Sequence, residues 1–119
     1  MKVSRGDVVL VDFPYSDRTG SKVRPALVVQ ADSWNQALDD TILALITSSG
    51  RRRVSASTQL VIEASSPEGR AAGLRIDSLV QCENLLTYDQ SLILRHMGSL
   101  PDAVMRQVDA CLKESLDII

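Results

Sequence analysis

The chain has 119 residues, with 13 Lys/Arg against 15 Asp/Glu and a formal net charge of −2, a length that fits one domain, residues 1–119, able to bury a core without disulfides or metal. Its two cysteines, Cys82 and Cys111, belong to no CxxC or Cys/His cluster, which argues against a disulfide framework or a zinc site and for two reduced core thiols. No apolar run approaches the roughly 18 residues of a membrane helix, and the opening MKVSRGDVV holds no apolar signal segment, so a cytoplasmic protein without membrane contact is expected.

The first apolar run, Val8 to Phe13, is short and β-branched, bounded by Gly6-Asp7 and Pro14, and reads as a strand. A turn-rich loop from Pro14 to Lys22 leads to a second strand, Arg24 to Gln30. Pro25 fixes its own φ and pushes Arg24 toward extended backbone, so the guanidinium should be aimed in a defined direction where loop becomes strand. Asp32 or Ser33 can cap a short helical turn, and Thr41 to Ser48 gives a third strand.

Charge is unevenly spread along the chain. Residues 1–60 carry eight Lys/Arg against six Asp/Glu, a net +2, and residues 61–119 five against nine, a net −4. Half of the early cations, Lys22 and Arg51 to Arg53, fall in two expected loops, where an anionic ligand can be met although the overall balance is not basic. Beyond that turn, Gln59 to Glu63 reads as a fourth strand, Ser65 to Arg70 as a surface loop, Arg75 to Glu83 as a fifth strand and Leu92-Ile93-Leu94 as a sixth. From Pro101 onward the period changes: Val104, Val108, Cys111, Leu112, Leu116 and Ile119 recur at helical spacing.

Short strands with turn signals and one closing helix predict a mainly β fold, a small, strongly bent antiparallel sheet or barrel with a C-terminal α-helix. The strands do not alternate apolar with polar, so both faces of the sheet need cover. One helix is little cover, and a homodimer through a two-fold contact is expected to hide part of the rest.

RGDVVLVDFP, then GSKVRPALVVQ, then ILALITSS, then GLRIDSLVQCENLLTYD, in that order and collinear from Arg5 to about Ile119, resemble the MazF/PemK family of toxins from bacterial toxin–antitoxin pairs. The resemblance implies an SH3-like barrel acting as a homodimer, and a metal-independent endoribonuclease, without cofactor, that cuts single-stranded mRNA at short sequences. It also implies a cognate antitoxin that lays an extended acidic segment along the RNA groove. Since a gyrase-poisoning toxin family shares the barrel, a non-enzymatic toxin acting on DNA gyrase is a competing reading, and a catalytically weakened RNA- or peptide-binding barrel is another.

Metal-free RNA cleavage needs a base for the substrate's 2′-hydroxyl, an acid for the departing 5′ oxygen and donors for the crowded phosphorane. Arg24 stands at the family's active-site arginine, and its permanent charge and fork of N–H donors suit phosphate oxygens. Thr47 stands at the catalytic Thr/Ser position, with Ser48 as a second hydroxyl. Glu83 occupies the place where the plasmid-borne branch carries an acidic base; Asp77 is the alternative carboxylate. Where that branch has an arginine proposed as acid, this chain has Gln81, which donates a hydrogen bond but no proton. Ser21, Lys22, Tyr15, Arg51 and Gln81 complete the expected RNA contacts, with Lys22 in a shorter GSKVRP loop where many relatives carry an acidic residue. His96 lies outside every motif, and Trp34 is assigned to core or interface.

Overall fold

The computed structural model describes residues 2–14, 17, 19–48 and 56–119. Among these, six strands form one antiparallel sheet: β1 (Asp7–Pro14), β2 (Ser21–Val28), β3 (Asp40–Ser48), β4 (Gln59–Ile62), β5 (Ser78–Asp89) and β6 (Arg95–Ser99). The strand order is β4-β5-β3-β2-β1-β6. The sheet curls without its edge strands β4 and β6 pairing, so the expected β-barrel with a C-terminal helix takes the form of an open half-barrel. Three helices accompany it, α1 (Asp32–Ala37), α2 (Pro67–Ala71) and α3 (Asp102–Leu116).

Strand alternation sorts the core into two faces. Val8, Leu27, Ala44, Ile46 and Val80 point to one side and pack with Val104, Val108 and Cys111 of α3. Arg5 ties the helix to the sheet, its guanidinium donating to Val29 O at 2.8 Å and to the Asp109 carboxylate at 2.7 Å. Val9, Val11, Phe13, Ala26, Val28, Leu43 and Leu45 point to the other side, where Val3, Leu86, Tyr88 and Ile93 pack with them. The second face is thus covered largely within the chain, by these side chains and the curl of the sheet.

Four elements differ from those read in the sequence by more than one or two residues. β2 begins at Ser21, hydrogen-bonded into the ladder with Pro14 of β1, so Arg24 lies inside the strand opposite Val11 rather than at its mouth. β5 continues to Asp89, because residues 82–84 form a bulge with no partner on β3 between the Leu45–Gln81 and Ala44–Leu85 pairs. The apolar triplet 92–94 is not a strand. The Asp89 carboxylate accepts from the Ser91 amide at 2.9 Å and starts a 3₁₀ turn, Gln90–Leu92, so β6 is displaced to the polar run Arg95–Ser99. The expected loop 65–70 holds α2, capped by Ser66, whose hydroxyl accepts from Gly69 N at 3.0 Å. Where β6 passes α2, Gly98 lies so close to the Ala71 and Ala72 backbone that a β-carbon has no room.

A buried polar cluster fixes the end of the sheet near α1. Asn35, Thr41 and Gln90 are buried; the Asn35 amide oxygen accepts from the Thr41 hydroxyl at 2.7 Å. Gln90 accepts from Val3 N at 3.0 Å and donates to the carbonyls of Asn35 and Leu38. Every polar atom removed from water there has a partner, as a dry site requires.

Candidate active site

The site grows out of one backbone irregularity. Val29 donates its N–H to Ile42 O on β3, and alternation along β2 turns the same edge of residues 27 and 25 toward β3. Pro25 has no N–H to offer there. The β2–β3 ladder accordingly ends at the Ala26–Leu45 pair, although β2 continues back to Ser21 and β3 forward to Ser48. Between the two unpaired ends opens a cavity of about 200 Å³, lined by Lys22, Val23, Arg24 and Pro25 from β2, Ile46, Thr47 and Ser48 from β3, and Ile76. A proline inside an inner strand is ordinarily a defect; here it opens the gap.

Register places the functional groups on one face. Arg24 pairs with Val11 and is two residues from Ala26, both core residues of the second face. Leu45 of the same face pairs with Gln81, and Thr47 with Leu79. Arg24, Thr47 and Gln81 therefore share the face that is apolar further along the strands. Arg24 also lines a second cavity of about 250 Å³, bounded by Phe13, Pro14, Leu45, Asn84, Leu85 and Leu86. A guanidinium shared by two adjoining hollows can hold a phosphate while parts of a larger ligand enter each side.

Of the residues expected from the sequence, Arg24, Thr47, Lys22 and Ser48 line the first cavity together. Ser21 is exposed at the start of β2 and lines neither cavity. Glu83 is set apart from both. Its carboxylate accepts from the Thr58 hydroxyl at 2.9 Å and from the Gln59 amide at 2.6 Å, at the start of β4. Asp77, the alternative carboxylate, accepts from Ala64 N at 2.9 Å and so serves as a loop clamp. His96, on β6, lies at 3.3 Å from Asp7 of β1, away from both cavities. Tyr15 and Arg51 lie outside the described residues.

Cys82, between Gln81 and Glu83, points into the core beside Cys111, and both thiols are free. Burial, with the neighbouring thiol and Glu83 adding to it, pushes the Cys82 thiol up to about 12. A thiol so held is not a nucleophile near neutral pH. The sequence reading missed Pro25 as the residue that opens the gap, and it missed the lining residues Ile76, Phe13, Asn84 and Leu86. Pro25 carried a signal, since a proline within an apolar inner strand must interrupt a ladder somewhere. Asn84 carried none beyond its place in the ENL triplet.

The profile of the "PemK-like, MazF-like toxin of type II toxin-antitoxin system" family matches residues 4–116. This chain belongs to that family. It is 32% identical to the endoribonuclease EndoA of Bacillus subtilis, over 100% of this chain and 98% of that one. It is 26% identical to the endoribonuclease MazF6 of Mycobacterium tuberculosis, over 99% and 100% respectively. Among solved structures, a mycobacterial endoribonuclease in complex with its cognate antitoxin superposes with a TM-score of 0.77 at 20% identity, covering 98% of this chain and 97% of that one. A MazE–MazF structure from Deinococcus radiodurans gives 0.73 at 18% identity over the full length of both. The half-barrel with its C-terminal helix is thus the fold of the MazF-like toxins.

Proposed function

We propose that this chain is the toxin of a type II toxin–antitoxin pair and an endoribonuclease that cuts single-stranded RNA without a metal ion. The observation that carries this reading is the cavity opened by Pro25, which sets a permanent cation, Arg24, across from a hydroxyl, Thr47, in a chain whose named relatives are endoribonucleases. In the reaction the 2′-oxygen attacks the neighbouring phosphorus and the bond to the 5′ oxygen breaks. A base takes the 2′-hydroxyl proton and an acid returns one to the leaving oxygen, giving a 2′,3′-cyclic phosphate and a 5′-hydroxyl end. Arg24 neutralises the phosphorane oxygens, and Lys22 adds charge on the same bank. Thr47 orients the 2′-hydroxyl or bonds a phosphate oxygen, with Ser48 beside it.

Glu83 is the candidate base. The bulge that carries it also carries Asn84, which lines the second cavity with Arg24, so bound RNA passes close to it. Gln81, on the Arg24 face, donates to the phosphate without delivering a proton. The antitoxin partner places an extended acidic segment over Lys22 and Arg24. A homodimer is supported by exposed apolar side chains, Trp34 and Leu38 around α1 and Leu92 and Leu94 before β6, in segments joined by the Gln90–Leu38 hydrogen bond. Among the described residues no helix is long and apolar enough to cross a membrane, consistent with action in the cytoplasm on mRNA. Gyrase poisoning has only the shared barrel in its favour, whereas the named relatives favour RNA.

The test is to incubate the purified protein with RNA in EDTA. Discrete fragments ending in 2′,3′-cyclic phosphate are expected, and their loss on adding the antitoxin. Absence of fragments together with capture of DNA gyrase would select the competing reading.

A further inference from the structure

We propose that Gln59 and Thr58 are positioning residues for the candidate base: together they fix the plane of the Glu83 carboxylate, and the rate of RNA cleavage depends on them through that carboxylate. The proposal rests on the reading of Glu83 as base given above and names the groups that aim it. Its first support is geometry. The Thr58 hydroxyl donates to Glu83 Oε1 at 2.9 Å and the Gln59 amide to Oε2 at 2.6 Å, so two consecutive residues grip one carboxylate by both oxygens. An ionised carboxylate has about four acceptor positions. Filling one on each oxygen stops the group from turning and leaves the others for a substrate hydroxyl.

The second support is placement. Cys82 points into the core of the first face, so Gln81 and Glu83 on either side of it project from the opposite face, that of Arg24 and Thr47. Gln59 pairs with Gln81 and stands on that face as well, with Glu83 diagonal to it and within reach of a long side chain. Residues 82–84 have no partner on β3, so the grip on the bulge comes from the β4 side. The start of β4 does not need the carboxylate to hold it. Its ladder already runs past the Gln59–Gln81 pair, with Cys82 N donating to Thr58 O at 3.0 Å.

The third support is an unsatisfied atom. Gln59 Oε1 is shut off from water and has no hydrogen-bond partner among the described residues. Turning the amide over would set this oxygen against the Glu83 carboxylate, acceptor against acceptor. The orientation that leaves an acceptor bare is therefore the one that serves Glu83. Buried polar groups in folded proteins are nearly always satisfied, and an exception of this kind asks for a reason beyond packing. Holding a base in its working orientation is such a reason.

The experiment follows single-turnover cleavage of an RNA oligonucleotide over a range of protein concentrations by the parent, Gln59→Met, Thr58→Val, Thr58→Ser, Glu83→Gln and the double variant Gln59→Met/Glu83→Gln, each checked for folding by thermal melting. Gln59→Met and Thr58→Val keep the bulk of the side chain and remove its donor. Each is expected to lower the maximal rate about tenfold or more, with the half-saturating protein concentration within about twofold of the parent's. Thr58→Ser keeps the hydroxyl and should cut at the parental rate. In the Glu83→Gln background Gln59→Met should cost nothing further, because the group it aims is gone. Should one donor variant fail to fold, the other decides. If the folded donor variants cut at the parental rate while Glu83→Gln is slow, the positioning role is overturned and the base stands. An equal fall from Gln59→Met with and without Glu83 overturns it too, since the residue then acts on the fold. If Glu83→Gln itself cuts at the parental rate, the base reading fails and the positioning role with it.

Discussion

Arg24 and Thr47 stand on opposite banks of one cavity, on neighbouring strands whose ladder stops at the Ala26–Leu45 pair. If the guanidinium stabilises the phosphorane, Arg24→Ala should lower the cleavage rate of an RNA oligonucleotide by about 100- to 1,000-fold with the melting temperature little changed. Arg24→Lys keeps a charge and loses the two-pronged geometry, so an intermediate rate is expected. Thr47→Ser should retain most activity and Thr47→Val little. Cutting at the parental rate by the folded Arg24→Ala protein would falsify the mechanism.

Pro25→Ala tests the origin of the cavity. The substitution supplies an N–H on the edge facing β3, allowing the ladder to extend past Ala26 toward Ile46 and the gap to narrow. The gained hydrogen bond and the lost rigidity of proline are of similar size, so stability should stay within about 1 kcal/mol. Cleavage should fall by up to about 100-fold, because Arg24 shifts against Thr47. Hydrogen exchange reads the first effect: the amide created at position 25 should be protected. An unprotected amide at full activity would show that the gap has another cause.

Glu83→Gln separates a base from a clamp. The glutamine keeps a carbonyl that can accept from Thr58 or Gln59, so the start of β4 should hold. As a base, Glu83 contributes about 100- to 10,000-fold, and the variant should lose that much. A variant that cuts normally and melts early would assign the carboxylate to holding β4.

The strands β1 and β3 were legible as unbroken apolar runs and the helix α3 by its period, and the RP and IT motifs pointed to Arg24 and Thr47. What stayed hidden lies where such patterns are interrupted. The polar residues Glu83 and Asn84 look like the end of a strand, yet the bulge lets β5 continue for five more residues to Asp89. Leu92-Ile93-Leu94 has a strand's composition, but the Asp89 carboxylate turns the chain before it can pair in full. The cover of the second face was out of reach for another reason: curl is a property of the whole sheet, and no local window of sequence reports it.

Gln90→Leu should destabilise the fold without touching the site. It leaves Val3 N and the carbonyls of Asn35 and Leu38 without their partner in a buried place, at a cost of at least about 2 kcal/mol in urea unfolding. The cluster adjoins Thr41, six residues and roughly 20 Å along β3 from Thr47. At a temperature where the variant is folded, its cleavage rate should match the parent's. A stability change below about 0.5 kcal/mol would mean that water satisfies these groups.

Cys82 predicts how stability responds to alkali. A cysteine in the unfolded chain ionises near 9, and burial moves the folded thiol to about 12. Below about 9 both states keep the proton and the burial of the neutral thiol contributes in full; between about 9 and about 12 the unfolded chain loses a proton that the folded chain retains, so stability falls as pH rises. Cys82→Ala removes this contribution, and its unfolding free energy should decline less steeply than the parent's over that window. Iodoacetamide provides a second reading: at about pH 8 it should leave Cys82 unmodified in the native protein and alkylate it in urea. Rapid native-state alkylation at this cysteine would place the thiol outside the core and remove the basis for the alkaline trend.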